Sequence, residues 1–495
     1  MKALKNFSIA AFSALIITAC SDDAKQVTHP AESKRPVAGQ PAAYTAKVNR
    51  VSGDVFVHLF EWRWGDVAAE CESFLGPNGY AAVQVSPAQE HITGSPWWTR
   101  YQPVSYRIES RGGTRAEFAD MVGRCKAAGV AVYADAVVNH MAEIGSGTGV
   151  AGSVYGPYSY PVPYAYDDFH HCGRNGNDAI ANYQDLWEVQ TCNLGTLPDL
   201  DTAKPAVQAK IAAYLNDLLS LGVTGFRLDA AKHMGHEDIG GYLALLDTRP
   251  YVFQEVIDWG TEAIDAMAYL ENGSVTEFKY AKALYPAFVN GQLDTLFNLG
   301  EGAAYLPADK AIVFVDNHDL QRGHVAEGEM LNYKFGELYN LANIFMLGWP
   351  YGYPKVMSSY YFEDSDQGPP ANRPAESGAC NAAWVCEHRR PAMAGMVGFR
   401  KATQGAPVTH WQAFGGQAIA FGRGGKGFVV INAGLDGIDG TFATGMQGGE
   451  YCNVVSTGGI DKDCAGAEIR VDATGILQIS LAPMSAVVIQ SSPTR

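Results

Sequence analysis

The chain reads as an α/β protein: a (β/α)8 TIM barrel with an irregular inserted domain after strand 3 and a C-terminal antiparallel all-β domain. Three observations predict it. From about residue 54, short apolar runs alternate with amphipathic helical stretches, the pattern of a parallel sheet covered by helices. Polar clusters stand at the carboxyl ends of several of those runs, on the rim where barrel chemistry sits. After about residue 405 the pattern changes to short strands separated by Gly-rich turns. A doubly wound open sheet is the competing architecture. It brings a Gly-rich phosphate loop after its first strand, and His58-Leu59-Phe60-Glu61-Trp62 is nothing like one.

Taken in order, residues 1–20 form a targeting segment outside the fold. Lys2 and Lys5 precede the apolar run Ile9–Ile17, which is too short to span a membrane as a stable helix. Ile17-Thr18-Ala19-Cys20 resembles the lipobox of bacterial lipoproteins, which implies cleavage before Cys20 and lipidation of its thiol. An exported protein is expected, either anchored at the outer membrane through Cys20 or secreted. Residues 21–49, rich in Ala, Lys, Pro and Gln, read as a flexible tether. The first part of the barrel is expected over 50–140, with strands at Asp54–Glu61, Tyr80–Ser86 and Val130–Val138 and a helix at Arg115–Ala128. Residues 141–200 are rich in Gly, Tyr, Asn, Asp and Pro and too long for an ordinary loop, so they read as the inserted domain. The barrel resumes over 201–404, with a helix at Ala206–Leu221 and strands at Val223–Leu228, Tyr251–Val256 and Ala311–Val315. Residues 405–495 form the β domain, with strands at Gln417–Phe421, Gly427–Ile431, Glu468–Val471 and Ile476–Leu481.

Composition narrows the function. The 495 residues carry a formal charge of −16 with no basic run, which argues against nucleic acid as a partner. Setting Cys20 aside leaves an even set of cysteines in an exported chain, so disulfides are expected. Eight cysteines permit many pairings; local spacing favours Cys380–Cys386 and Cys452–Cys464, with Cys71–Cys125 and Cys172–Cys192 the remaining neighbours. Zinc is the weaker reading, because no C-x-x-C pair is present.

Four strand ends carry the chemistry. The third ends in Asp135-Ala-Val-Val-Asn139-His140, the fourth in Arg227, Asp229, Lys232 and His233, the fifth in Glu255, and the seventh in Asn317, His318 and Asp319. In this order, each at a strand end, they resemble the four signature regions of the α-amylase superfamily of glycoside hydrolases. Further stretches resemble the animal-type, chloride-dependent subgroup: Pro96–Pro103, Pro350-Tyr351-Gly352, Lys355–Ser359 and Trp384–Arg389. The subgroup's four disulfides map onto the four pairs above.

The resemblance implies a retaining, endo-acting α-1,4-glucan hydrolase acting on starch, glycogen and maltooligosaccharides, and a monomer. A maltooligosaccharide-forming exo-enzyme or a transglycosylase of the same superfamily is the alternative, and a non-catalytic glycan-binding lipoprotein a remote one. Retention needs one carboxylate as nucleophile and one carboxyl as acid, about 5–5.5 Å apart, and adjacent barrel strands can supply that pair. By resemblance Asp229 is the nucleophile, Glu255 the acid/base and Asp319 the third carboxylate. Arg227 is expected to keep Asp229 ionised, and the apolar run before Glu255 to keep that carboxyl protonated. His140 and His318 resemble hydroxyl donors at the cleaved sugar, with Lys232 and His233 beside them. Trp97, Trp98 and Tyr101 form an aromatic cluster in a Pro-bounded loop, with Gln102 alongside. Two adjacent Trp cannot both enter one core, so at least one is expected to stack on sugar faces.

Two ions are implied by the same resemblance. Ca²⁺ would take oxygen ligands from Asn139, Asp199 and the backbone carbonyls of Gln190 and His233. Chloride would take Arg227, Asn317 and Lys355; a lysine offers a point charge where many relatives carry the planar fork of Arg, so weaker binding is expected. Gly323–Glu329 stands where animal relatives have a glycine-rich mobile loop, and its fewer glycines predict a stiffer segment around His324. Leu320 replaces a residue that is usually polar.

Overall fold

Eight parallel strands close on themselves in the computed structural model, which describes residues 54–162, 164–300, 302–374, 380, 382–457 and 468–491. They are β1 (Phe56–Leu59), β2 (Ala82–Val85), β3 (Ala131–Ala136), β4 (Gly225–Leu228), β5 (Tyr251–Gln254), β6 (Ser274–Thr276), β7 (Ala311–Val313) and β8 (Tyr353–Ser358). Each pairs with its neighbours in sequence, and β8 pairs back onto β1, with Phe56 opposite Lys355. Every residue of all eight is buried, because helices cover the outside and side chains fill the inside. That double burial is why these strands are written as near-continuous apolar runs. Two of them escape sequence reading for a physical reason. The β6 strand is three residues long, and β8 contains Pro354, which normally demotes a strand to an edge; a closed barrel has no edge, and Pro354 sits opposite Val313.

Local chemistry sets the covering helices. Thr114 and Glu117 form a reciprocal capping box at the start of α2 (Arg115–Ala127). Pro205 occupies the first turn of α4 (Pro205–Ser220), where its missing N–H costs nothing. The other helices are α1 (Trp64–Glu70), α3 (Leu186–Thr191), α5 (His236–Leu243), α6 (Phe278–Val289), α7 (Glu337–Gly348) and α8 (Pro391–Ala402). Inside the barrel, Phe56, Tyr133, Tyr251, Phe253 and Tyr353 form an aromatic plug, with Phe56 and Tyr353 rings 4.7 Å apart. A buried Phe of this kind contributes roughly 1.5–3 kcal/mol of transfer free energy. The plug closes the barrel below its polar rim.

Residues 141–200 hold a two-residue strand pair, a few bridges and α3, and a disulfide joins Cys172 to Cys192. Cys71–Cys125 and Cys380–Cys386 are also joined. Cys464, the partner expected for Cys452, lies outside the described residues, as do Cys20 and residues 1–49. Beyond α8, two four-stranded antiparallel sheets pack on each other. The first contains β9 (Val408–Phe414), β10 (Ala418–Arg423), β11 (Gly427–Asn432) and β16 (Ser485–Gln490). The second contains β12 (Ile438–Ala443), β13 (Gly449–Cys452), β14 (Glu468–Val471) and β15 (Ile476–Leu481). Phe428, Val430, Phe442, Leu477 and Ile489 fill the space between them. No helix among the described residues is long and apolar enough to cross a membrane.

Candidate active site

The fourth strand begins at Gly225 because nothing larger fits: a Cβ there would lie 2.6 Å from the Tyr133 ring and 2.8 Å from the Tyr251 carbonyl. From that start, residues two apart share a face, so Arg227 and Asp229 both turn inward over the aromatic plug. Ala230 follows in the left-handed region at φ +49°, a strained turn for a residue with a Cβ. It opens the short turn Ala231–His233 that carries Lys232 and His233 over the rim.

Arg227 is the hub of the site. Its Nη1 donates to Asp135 Oδ1 at 2.6 Å and to Asp229 Oδ1 at 2.8 Å, and its Nη2 donates to Glu255 Oε1. The Ala230 amide donates to the other oxygen of Glu255 at 3.2 Å. Asp229 and Glu255 therefore meet across one guanidinium, as neighbouring strand ends allow: Leu228 stands opposite Gln254, and the Glu255 amide donates to the Leu228 carbonyl. Asp135, to which the sequence assigns no role, lies between Arg227 and the Tyr101 hydroxyl, which donates to it at 2.9 Å.

One cation faces three buried carboxylates, and the electrostatics follow from that imbalance. Arg227 is held charged well above its ordinary range despite its burial, because Asp135, Glu255 and Asp229 surround it. Asp229 differs from the expectation that Arg227 alone would keep it ionised. Burial pushes its carboxyl well above the usual value, and Glu255 and Asp135 add to that against the pull of Arg227. Asp135 is pushed up for the same reason. Asp319 rises to about 7, first through burial and then through Glu255.

A cavity of about 630 Å³ opens above these carboxylates. Asp229, Glu255, Asp319, Trp97, Trp98, Tyr101, Gln102, His140, Lys232, His233 and His318 all line it. Trp97 is buried with its Nε1 on the Ser365 carbonyl, and Trp98 is the more exposed of the two, as the adjacent-Trp argument requires. Tyr101 is less open than a free platform, since one face is covered by His318 at 5.2 Å. His140 lines the wall with both nitrogens engaged, Nε2 on the Tyr101 carbonyl at 2.9 Å and Nδ1 facing the Asn139 amide at 3.3 Å. Because a carbonyl can only accept, Nε2 carries the proton, and a hydroxyl beside His140 meets a nitrogen already in use. Lys232 pairs with Glu262 at 2.7 Å and lies over the Tyr183 ring. Tyr183, Trp259, Glu262 and Asp366 also line the cavity and were missed from sequence. They lie on loops with no strand-end pattern to mark them.

The segment 323–329 forms part of one wall through His324 and Val325. It is pinned: Trp259 Nε1 donates to the Val325 carbonyl at 3.1 Å, and Glu327 accepts from Thr261 and Lys282, each at 2.7 Å. Val325 itself sits at φ +52°, a conformation a β-branched residue adopts only under restraint. Leu320 is buried in the interior cluster, which accounts for an apolar residue at that position.

The residues expected around Ca²⁺ converge where the 141–200 segment meets the rim. His140 and Asp199 form a bridge, the Leu200 amide donates to the Asn139 carbonyl at 2.9 Å, and His233 Nδ1 reaches the Val189 carbonyl at 2.9 Å. Asn139 Oδ1 and Asp199 Oδ1 are buried without a hydrogen-bond partner among the described residues. Two orphaned oxygens in one place suit a hard cation. Gln190 spends its side-chain amide on Tyr269 and Met234, leaving only its backbone for such a role. Of the residues expected around chloride, Arg227 faces carboxylates, while Asn317 Oδ1 accepts from the Asp319 and Leu320 amides. Lys355 is buried over the Phe314 ring and falls to about 8, first through burial and then through Arg227.

Comparison with known proteins places this geometry. The alpha amylase catalytic domain pattern matches residues 82–251, and the alpha amylase C-terminal all-beta domain pattern matches residues 410–492. An alpha-amylase of Streptomyces violaceus is 45% identical over 444 residues, covering 89% of this chain and 74% of that protein. An alpha-amylase-related protein of Drosophila atripex is 42% identical over 449 residues, covering 85% and 89%. The crystal structure of alpha-amylase I from Eisenia fetida superposes with a TM-score of 0.84 at 38% identity, covering 91% of this chain and 99% of that one. A mutant of that Eisenia fetida enzyme, solved in complex with maltohexaose, matches equally well. With identity of this order along most of the chain, under a closed barrel whose rim gathers three carboxylates around one arginine, the protein belongs to the alpha-amylase family.

Proposed function

We propose that the protein is an endo-acting α-amylase that hydrolyses internal α-1,4 bonds of starch, glycogen and maltooligosaccharides with retention at the anomeric carbon. The observation that carries this reading is the shared guanidinium: Arg227 touches both Asp229 and Glu255 on the floor of the 630 Å³ cavity. Two carboxyl groups held by one fork are close enough for the double displacement and leave little room for a water between them. Asp229, as the carboxylate, attacks the anomeric carbon while the carboxyl of Glu255 gives its proton to the departing glycosidic oxygen. Glu255 then takes a proton from water as that water displaces Asp229. Asp319, with His318 beside it, holds hydroxyls of the sugar being cleaved, and Trp98 and Tyr101 offer ring faces to neighbouring sugars. The maltohexaose bound by the Eisenia fetida mutant supports an α-glucan as the substrate class.

Ca²⁺ would be held by Asn139, Asp199 and the carbonyls of Gln190 and His233, tying the 141–200 segment to the rim; the orphaned oxygens support this set. When bound it supplies shape rather than chemistry. Chloride would be held by Arg227, Asn317 and Lys355, and the mutual repulsion of two buried cations supports an anion there. Membership of the chloride-dependent subgroup, monomeric state and a lipid anchor on Cys20 belong to the same reading. Metabolic labelling with a radioactive fatty acid and its loss in Cys20→Ala test the anchor.

Product analysis on soluble starch tests the activity. Mixed oligosaccharides early in the reaction, with the α-anomer released, are expected. A single short product overturns endo-action in favour of an exo-enzyme, longer chains favour transfer, and no new reducing ends overturn the reading altogether.

A further inference from the structure

Beneath the catalytic rim lies a pair of side chains that the reaction does not use. His58 on β1 and Gln84 on β2 are register partners on adjacent parallel strands. Phe56 and Ala82, two residues earlier on each strand, belong to the interior plug, so His58 and Gln84 also point inward, one layer nearer the rim. Both are fully buried. Both ring nitrogens of His58 and both amide atoms of Gln84 lack a hydrogen-bond partner among the described residues. Four buried polar atoms on neighbouring side chains, not joined to one another, are expensive unless something small and polar lies between them.

Another group in the same condition belongs to the site itself. His318 presents Nε2 to Asp319 Oδ2 at 3.3 Å, while its Nδ1 is buried with no partner among the described residues. Tyr101 and Phe60 cover its two faces at 5.2 and 5.1 Å, so the ring cannot turn to find one. The His58 ring stands 5.7 Å away at right angles. Burial, with Lys355 and Arg227 nearby, keeps His58 neutral; burial and Arg227 do the same for His318. A neutral imidazole has one donor and one acceptor, and the bond made by one nitrogen decides where the proton sits on the other. With Nε2 of His318 donating to Asp319, Nδ1 is left as an acceptor, and the unpartnered groups of His58, with Gln84 beside it on the next strand, are available to supply a donor.

We propose that His58 and Gln84 hold an internal cluster of ordered water that donates to His318 Nδ1, making His58 a positioning residue that fixes the tautomer of His318 toward Asp319. Water suits the site because a buried water makes about three hydrogen bonds and can both donate and accept, and both kinds of group are present here. The proposal rests on the reading of His318 and Asp319 as substrate-binding groups.

A high-resolution crystal structure of the whole protein is the direct test. Ordered water within about 2.7–3.2 Å of a His58 nitrogen, a Gln84 amide atom and, directly or through a second water, His318 Nδ1 is expected. A dry space overturns the proposal. Nitrogen-15 histidine spectra give the second readout. In the wild type His318 is the Nε2–H tautomer, and in His58→Phe and Gln84→Leu it becomes a mixture. An unchanged tautomer in both folded variants overturns the positioning role. In His58→Phe, kcat on maltooligosaccharides falls on the order of tenfold to a hundredfold, the scale of losing an outer partner of an oriented imidazole, and His58→Asn restores part of it. Water and tautomer are read without substrate. A wild type that hydrolyses no glucan therefore overturns the function proposed above while leaving these two results to decide this one.

Discussion

Arg227 and Asp229 stand two residues apart on one strand end, and the arginine donates to the carboxylate at 2.8 Å. Alternation puts both on the inner face of the barrel, and the second arm of the same guanidinium reaches Glu255 on the next strand. The arginine thus sets the spacing of the two acids to which the proposed hydrolysis is assigned.

Removing either acid separates chemistry from binding. Asp229→Asn and Glu255→Gln are each expected to lower kcat on starch by several orders of magnitude while maltooligosaccharide affinity, read by calorimetry, changes little. Near-normal turnover in either variant rejects its role. Arg227→Ala is expected to cost stability as well, since it leaves three buried carboxylates without their cation.

Chelation tests the cation site. An ion bound only by the folded protein stabilises it by about 4 kcal/mol when free ion is roughly a thousandfold above Kd. EGTA is therefore expected to lower the melting temperature, and Asp199→Ala to abolish the response to added Ca²⁺. A melting curve indifferent to EGTA rejects the site.

Acid stability has an identifiable source at the end of α1. Glu70 opposes its own burial with bonds from Arg389 and His388, and its carboxyl is held down at about 2. A depressed folded value means that stability is fully present above the ordinary value of about 4.5 and drains away as pH falls toward 2. Glu70→Gln is expected to lose roughly 3 kcal/mol at neutral pH and to flatten the curve between those limits. Parallel denaturation curves for wild type and variant across that window contradict the assignment.

The wall segment 323–329 owes its placement to tethers rather than to its own sequence. Glu327→Ala removes the bonds from Thr261 and Lys282. Faster amide exchange across 323–329, with the barrel strands unchanged, is the expected outcome. Equal exchange in wild type and variant shows that Glu327 does not hold the segment in place.

Much of this was legible from residue order. Apolar runs capped by polar clusters at 135–140, 225–233, 251–255 and 311–319 named the barrel and the rim together, because a strand buried on both faces must be apolar and a barrel does its chemistry where such strands end. What failed did so for local reasons. Ser274–Thr276 is too short to show a period, and Pro354 argues against the strand it belongs to. Tyr183, Trp259 and Glu262 carry no pattern that separates a cavity wall from an ordinary loop.

The ionisation of the acids lay beyond sequence altogether. An arginine two residues from an aspartate reads as a pair, and a pair predicts an ionised carboxylate. Only the closed ring of strands adds Asp135 and Glu255 to the same guanidinium and takes all of them out of water. Residue order along the chain determined which groups stand at the strand ends. Closure of the barrel decided how many share one positive charge, because proton affinity depends on distance and burial, and neither is a property of the linear chain.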